Sequence, residues 1–542
     1  MKSVSVIVAG GGPVGLTLAR DLARRGVDVM LVERNRTTTR HPKMDNTNVR
    51  SMEMFSLAGL ESRLRAVAVP EDSPFDVSWV TSMSGYELKR FALSSPAHSR
   101  RIYRERNDGS QPFVPAMRVS QAEIEPVLKL AAEEEPLAQV RFGVAIVDCV
   151  EDDQGVTATL RDSDTGQTEQ IRCAYLVGCD GGGSTVREAM GIKLDGRFSI
   201  MPRFMTHFST DDAEARQLLQ RWGRTWHYQS NHGTLIAQND IDTWTLHSRY
   251  PADAVDGVDP VALVSRFVGK AIPMRVEVAN PWSPHLVSAQ IAGTKRVLLA
   301  GDAGHQYIPT GGYGMNTGIA DAYGAAWVIA AMLKGFGGPG LIEGYKCERR
   351  PVWAYNRDAA ERHNGLRVEA AARYVAQGAA LEAADAEGDA ARFQLAADLT
   401  RMGNAEAESL GIEMGYHYQG LSPVVAIEAG AEVPFDPDTY RCNTLPGGRL
   451  PSLYLEDGRA IYNLLDRWFT LLVMSGADGS AVAEVAAKRG IPLKVVYLPG
   501  HHARAVLAAD MLLVRPDQHI AWRGAALDQL EAGKVLDMAT GW

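Results

Sequence analysis

The stretch that most constrains this chain lies at its amino end. Val4–Ala9 is a short apolar, β-rich run, and Gly10-Gly11-Gly12-Pro13-Val14-Gly15 follows it. Leu16–Arg25 then carries apolar residues at helical spacing, and a second apolar run, Val27–Val32, closes at Glu33. Strand, glycine turn, helix and strand within about 30 residues make a βαβ unit. Gly10 allows the tight turn, Gly12 lets the backbone approach a pyrophosphate, and Gly15 lets helix and strand touch. The helix N-terminus adds free N–H groups and the positive end of its dipole. Glu33 stands 18 positions beyond Gly15, near the ~20 expected of a carboxylate that accepts from a ribose 2′-hydroxyl. The pattern reads as an adenine dinucleotide site. A ligand-free glycine turn explains the glycines but not the strand, helix and acid around them.

At 542 residues the chain exceeds a single hydrophobic core, so two or more domains are expected. Lys and Arg total 56 against 65 Asp and Glu, a net charge of −9, which excludes a uniformly basic surface for nucleic acid or anionic lipid. Five scattered cysteines form no C-x-x-C pair, so they are expected to be reduced thiols with no metal role. No run approaches the ~20 apolar residues of a membrane span. These features predict a soluble, cytoplasmic protein without nucleic-acid or membrane partners.

Farther along, Val77–Pro115 lacks helical periodicity, and Gln121–Ala132 reads as a helix. Val140–Val150, Val156–Leu160 and Gln170–Val177 alternate like strands. Tyr175–Val177 runs into Gly178-Cys179-Asp180-Gly181 and a helix start near Arg187. Met201–Pro284 carries aromatic and β-branched residues in alternating patches, which predicts a separate antiparallel sheet. Arg296–Ala300 is a buried strand, Gly301–Gly314 a glycine- and proline-rich loop, and Asn316–Leu333 a helix. Arg350–Met414 is largely helical, with Asn364-Gly365 and Gly388 as expected breaks.

Three separated motifs, Gly10–Gly15 with Glu33, Asp180-Gly181 with Arg187, and Gly301-Asp302 with Pro309–Asn316, together resemble the single-component FAD-dependent aromatic hydroxylases of the phenol hydroxylase and para-hydroxybenzoate hydroxylase type. The likeness spans nearly the whole chain, because the tail Asp510–Arg523 is similar to that of the longer, phenol-hydroxylase-like members. It implies an α/β architecture: a Rossmann-type FAD-binding domain (residues 1–76, 116–200 and 285–350) with an inserted antiparallel-sheet substrate domain (77–115 and 201–284). A helical segment (351–422) and a C-terminal thioredoxin-like α/β domain (423–542) complete it. Without a C-x-x-C, that last domain is expected to serve packing or assembly. A homodimer is implied as well.

The resemblance also implies roles. Cofactor candidates are Gly10, Gly12, Pro13, Val14, Gly15, Glu33, Arg34, Arg50, Gln121, Asp180, Gly181, Asp302, Pro309, Gly314, Met315 and Asn316. Asp302 would accept from the ribitol hydroxyls of FAD, unless it only caps its loop. The N–H groups at Gly314–Asn316 would face the N1/O2 edge of the flavin and stabilise negative charge there. Asp180 is placed near the pyrophosphate, Arg50 near the flavin phosphates and the nicotinamide cofactor, and Gln121 near FAD or simply at a helix start. The basic stretch Arg34, Arg36, Arg40 and Lys43 favours NADPH over NADH as the transient co-substrate, although such runs also occur as solvated loops.

Asp45 falls where phenol-hydroxylase-like members keep an acid or histidine beside the substrate hydroxyl. Converting a phenol toward phenolate activates the ring for electrophilic attack by a flavin C4a-hydroperoxide formed with O2, so a base is needed. A carboxylate near pKa ~3.9 is ~6 units from a phenol near ~10. Burial or a tyrosine relay would have to narrow that gap. Asp45, Pro309, Tyr228 and His247 are therefore the expected catalytic residues, with His227, Arg249 and Tyr250 on the same inserted sheet. Aromatic and histidine residues in strands also serve as core or cross-strand pairs. His305 is placed near the cofactor or in a structural hydrogen bond, and Tyr416 and Tyr418 line the pocket or pack beneath it.

The implied reaction is NAD(P)H- and O2-dependent hydroxylation of a small phenolic ring, with ortho placement favoured. Two alternatives stay open: a flavin monooxygenase acting on a polyketide, antibiotic or ketone, including Baeyer–Villiger oxidation, and a catalytically silent FAD-holding interaction protein.

Overall fold

The computed structural model describes residues 2–249 and 257–542; the candidate Tyr250 lies outside them. Lys2–Ala9 and its neighbours build a seven-stranded sheet. Val29–Glu33 and Ala138–Phe142 lie in parallel on one side, and Thr168–Gly178, also parallel, on the other. Val297–Leu299 pairs in parallel with Thr168–Gly178, while the meander Val144–Asp152 and Gly155–Asp162 completes the sheet antiparallel. Val6–Ala9 and Val297–Leu299 are fully buried, as parallel strands covered on both faces must be. Helix Pro13–Arg24 crosses between the first two strands, and helix Tyr313–Leu333 packs against it.

A second seven-stranded sheet runs in the order Arg275–Trp282, Arg203–Ser209, Thr243–Arg249, Gly233–Ala237, His227–Ser230, Val77–Val80 and Glu87–Phe91. It is antiparallel except where His227–Ser230 meets Val77–Val80 in parallel. Residues alternate between its faces. Phe208, Tyr228, Leu235, Trp244 and Leu246 point to a core shared with Val264, Phe267 and Val268 of helix Pro260–Val268. The other face carries Arg203, Met205, His227, Thr234, His247 and Arg249 into a cavity between the two sheets.

The helices depart from expectation at three points, one of them Gly388, which lies in the first turn of helix Ala386–Met402 instead of breaking it. Gly340–Gln377 is one 38-residue helix that passes through Asn364-Gly365 without a break; tertiary packing outweighs the ~1 kcal/mol that glycine costs a helix. Within the stretch that lacks helical periodicity, Pro96–Arg106 is a helix whose only buried residue is Pro96. An exposed helix needs no apolar stripe, and only its caps betray it: Ser95, Pro96 and the left-handed Asn107.

The C-terminal sheet has the order Leu493–Leu498, Phe469–Met474, Met511–Val514 and Ile520–Gly524. Its first pair is parallel and the rest antiparallel, so βαβ is followed by ββα, the thioredoxin-like arrangement. A buried charge network docks it on the rest of the chain: Arg515 donates to both Glu348 oxygens (2.5 and 2.7 Å) and to Asp517 (2.6 Å), and Arg449 pairs with Glu53.

Candidate active site

A cavity of about 1040 Å³ lies between the first sheet, the inserted sheet and the long helices, at the upper end of ordinary ligand pockets (~300–1000 Å³). Its dinucleotide end is made of backbone. Gly10 has φ +106°, and a Cβ there would meet the Cys179 carbonyl oxygen at 2.2 Å; a Cβ at Gly15 would meet the Gly10 oxygen at 2.0 Å. Gly12 differs: a Cβ there would find only Glu125 Oε1, at 4.0 Å. Gly10 and Gly15 thus close the turn, whereas Gly12 keeps an open face toward the cavity. No side chain caps helix Pro13–Arg24, so its first N–H groups are left for a ligand. Glu33 accepts from Gly11 N at 2.7 Å and from Asn35 N and Nδ2 at 2.8 and 2.6 Å, and lines the cavity beside Arg34.

The opposite wall repeats the device. Helix Tyr313–Leu333 starts at Gly312 (φ +67°) without a side-chain cap, and Pro309, Gly312, Gly314 and Met315 line the cavity. Asn316 is turned to support: Nδ2 donates to Gly312 O (2.7 Å) and Asn46 O (3.1 Å), and Oδ1 accepts from Asn48 N (3.0 Å). Beneath the loop, buried Asp321 accepts from Gly301 N, His305 Nε2, Arg349 Nε and Trp353 Nε1 at 2.6–3.0 Å. Burial opposes its charge, but Arg349 and His305 outweigh it and hold the carboxyl at about 2. His305 is therefore a structural histidine.

Asp302 opens into the cavity and has no hydrogen-bond or ion-pair partner among the described residues. The protein around it raises its pKa, against the pull of His305 and Lys43. An unpartnered acid next to two uncapped helix ends fits a polyhydroxylated diphosphate ligand. Asp180 lines the cavity and also braces the start of helix Thr185–Ala189, accepting from its N-cap Ser184 Oγ (2.5 Å) and from Val186 N (3.1 Å), with Gly181 beside it at φ +83°. Arg187 is structural, donating to Gly182 O and Ala303 O. Gln121 lines the cavity and donates to Glu125 Oε1 at 2.6 Å. Glu125, four residues on and so on the same helix face, was not anticipated.

Arg50 departs from its expected place at the flavin phosphates. Its guanidinium is buried away from the cavity and donates to Gln518 Oε1 (2.7 Å), Asp517 O (2.6 Å) and Glu53 Oε2 (3.2 Å), so it anchors the C-terminal tail. Tyr416 and Tyr418 pack there too, around His519.

The substrate end centres on Asp45, whose Oδ2 accepts from Trp226 Nε1 (2.7 Å) and His227 Nε2 (2.8 Å). Burial would raise its pKa, but the His227 and Trp226 contacts dominate and hold it below the ordinary value. The expected narrowing of the gap to phenol is thus reversed, and the side chain bonded to Asp45 is a histidine rather than a tyrosine. Tyr228 cannot serve: period-2 alternation turns it to the opposite face, where its hydroxyl donates to Gly223 O (3.1 Å). His247 does face the cavity, lowered to about 4 by burial despite Asp45. Arg367, held by Glu406 at 2.6 and 2.7 Å, donates to Thr234 Oγ1. Trp226, Arg367 and Glu406 left no local signal, because strand register and long-range helix packing place them. Among the described residues no group of three or more His, Cys, Asp or Glu could hold a metal ion, and no helix is long and apolar enough to cross a membrane.

Known proteins resemble this chain in sequence and fold. The FAD binding domain family matches residues 3–360, and the aromatic-ring hydroxylase C-terminal family matches 443–542. An FAD-dependent monooxygenase of Emericella nidulans, apdD, is 36% identical, covering 99% of this chain and 90% of that protein. A phenol 2-monooxygenase of a Pseudomonas species is 27% identical, covering 99% and 92%. The solved structure of the rebeccamycin biosynthetic enzyme RebC with reduced flavin superposes with a TM-score of 0.88 at 31% identity, covering 100% of this chain and 99% of that one. With a dinucleotide cradle, an unpartnered acid and a second uncapped helix around one cavity, and family matches at both ends, this chain belongs to the FAD-dependent aromatic-ring hydroxylases, the flavoprotein monooxygenases.

Proposed function

We propose that this enzyme hydroxylates a phenolic ring, ortho to the existing hydroxyl, with NAD(P)H and O2 as co-substrates. The observation that carries the reading is the Asp45–His227–Trp226 cluster in the same cavity as the cofactor cradle. Bound FAD supplies the redox chemistry, passing electrons from reduced nicotinamide to dioxygen and delivering one oxygen atom to the ring.

The protein's part is proton handling, orientation and exclusion of water. With Nε2 bonded to the Asp45 carboxylate, His227 carries its proton there and keeps the other ring nitrogen as an acceptor. Imidazoles lie closer to phenols on the pKa scale than carboxylates do, ~6.5 and ~3.9 against ~10. In this reading His227 takes the phenolic proton, and Asp45 fixes its tautomer and stabilises the imidazolium that forms, with Trp226 holding the carboxylate. The open N–H groups of Gly314 and Met315 would stabilise negative charge on a bound flavin. Arg34 at the cavity mouth supports NADPH as the preferred donor.

The test measures NADPH and NADH oxidation with a panel of phenols, quantifying ring product and hydrogen peroxide. Product equal to NAD(P)H consumed is the expected result. Oxidation that yields only peroxide with every phenol, including polycyclic ones, defeats the proposal. The homodimer is checked by light scattering on the same preparation.

A further inference from the structure

The segment that delivers Asp45 runs without a free joint into a helix gripped by the C-terminal domain. Asp45 O accepts from Val119 N (3.1 Å), and Asn46 and Thr47 pair with Arg118 and Met117. Asn48 donates from its N to Asn316 Oδ1 (3.0 Å) and caps helix Val49–Leu57 by accepting from Ser51 N (3.0 Å). The helix is buried from Val49 to Phe55. Its opening turns carry two charges, Arg50 and Glu53, one turn apart and bonded to each other. Both are held by residues of the stretch that matches the aromatic-ring hydroxylase C-terminal family. Gln518 Oε1 and Asp517 O accept from Arg50 at 2.7 and 2.6 Å, and Arg449 donates to both Glu53 oxygens, from Nε to Oε2 at 2.8 Å. Burial opposes the charge on Glu53, yet Arg449 and Arg50 hold its carboxyl below the ordinary value. Gln518 is buried and sits in the left-handed region at φ +65°. A residue other than glycine keeps that conformation only where its surroundings hold it, and such strain gathers at functional positions.

We propose that Gln518 and Arg449 are positioning residues for the hydroxylation: by fixing Arg50 and Glu53 they set the start of helix Val49–Leu57, and with it the Asp45 carboxylate bonded to His227. The inference rests on the hydroxylase reading and gives the C-terminal domain a task beyond packing. Desolvation offsets much of what a buried ion pair contributes to stability, whereas its directional bonds leave the paired groups one arrangement. Asp45 needs such precision. Its carboxylate meets Trp226 and His227 at 2.7 and 2.8 Å, and hydrogen bonds weaken steeply away from good geometry. The competing role is docking alone, in which the same bonds hold two domains together with no effect on Asp45.

Two variants of the full-length, FAD-loaded enzyme test it. Gln518→Gly removes an acceptor from Arg50 while suiting the left-handed backbone, so the turn itself is kept. Arg449→Met with Glu53→Gln removes the ion pair without leaving either charge buried alone. With the phenol that the wild type hydroxylates best, kcat and KM are measured together with ring product and peroxide formed per NADPH consumed. Both variants should lose ~10- to 100-fold in kcat for ring product, the scale of a small misplacement of a catalytic group, with peroxide taking the place of product and with phenol KM and FAD content unchanged. Variants that lose thermal stability yet form product at the wild-type rate overturn the proposal, as do variants that raise KM alone. If the double variant does not fold, Gln518→Gly decides. Wild-type hydroxylation with variants equally coupled removes this inference alone; a wild type that hydroxylates no phenol removes the hydroxylase reading and this inference with it.

Discussion

The cavity's two ends are built by different means. At the dinucleotide end the recognising groups are backbone N–H groups at two helix starts, held by glycines whose missing side chains let strands and helices touch. At the substrate end the cavity is lined by side chains, among them Asp45, His227 and His247, delivered by strand register from segments up to about 200 residues apart. A backbone site depends on local conformation and tolerates little change. A side-chain site on a sheet face can be rewritten one residue at a time, which suits a scaffold that keeps its cofactor and varies its substrate.

The largest expected effect separates two glycines of one motif. Gly10→Ala should abolish soluble, FAD-retaining protein, because its Cβ overlaps the Cys179 carbonyl in a left-handed backbone. Gly12→Ala should leave the thermal midpoint of the apoprotein within a few degrees and still weaken FAD binding. Equal thermal losses in both would erase the distinction between closing the turn and facing the ligand.

Next come Asp45→Asn and His227→Asn, each expected to lower product formation ~10²–10⁴-fold with FAD content kept and NADPH consumption diverted to peroxide. A loss of FAD in these variants would merge the two ends of the site. Asp302→Ala should raise the FAD Kd by ~10- to 100-fold, the worth of a hydrogen bond to a charged acceptor. Equilibrium dialysis against FAD checks it, and an unchanged Kd would return Asp302 to a loop role. The smallest effect is expected of Tyr228→Phe: turnover near wild type and a stability loss of ~0.5–1.5 kcal/mol from the bond to Gly223, read by urea unfolding. A large fall in kcat would restore Tyr228 as a relay.

Each effect follows how legible the residue was. Gly10–Gly15, Glu33 and the loop after Asp302 were readable because their function is local: a strand, a turn and a helix start adjacent in the chain. His227 and Tyr228 show where reading stops. They are neighbours of similar chemical character, and only the pairing of Met205 with His247 and of His227 with Ile236 decides which faces the cavity. Arg50 shows the other limit. A positive residue in a motif-rich segment looks like a phosphate ligand until the tail carbonyl of Asp517 and Gln518 claim it.

By itself, then, the sequence determined the cofactor class, the parallel βαβ start, the inserted sheet and the absence of a dithiol in the C-terminal domain, since short-range spacing and composition encode all of these. Tertiary structure alone decided the identity of Asp45's partner and the burial of Arg50. The physical reason is register: a one-residue shift turns a side chain from cavity to core, and long-range packing sets that register.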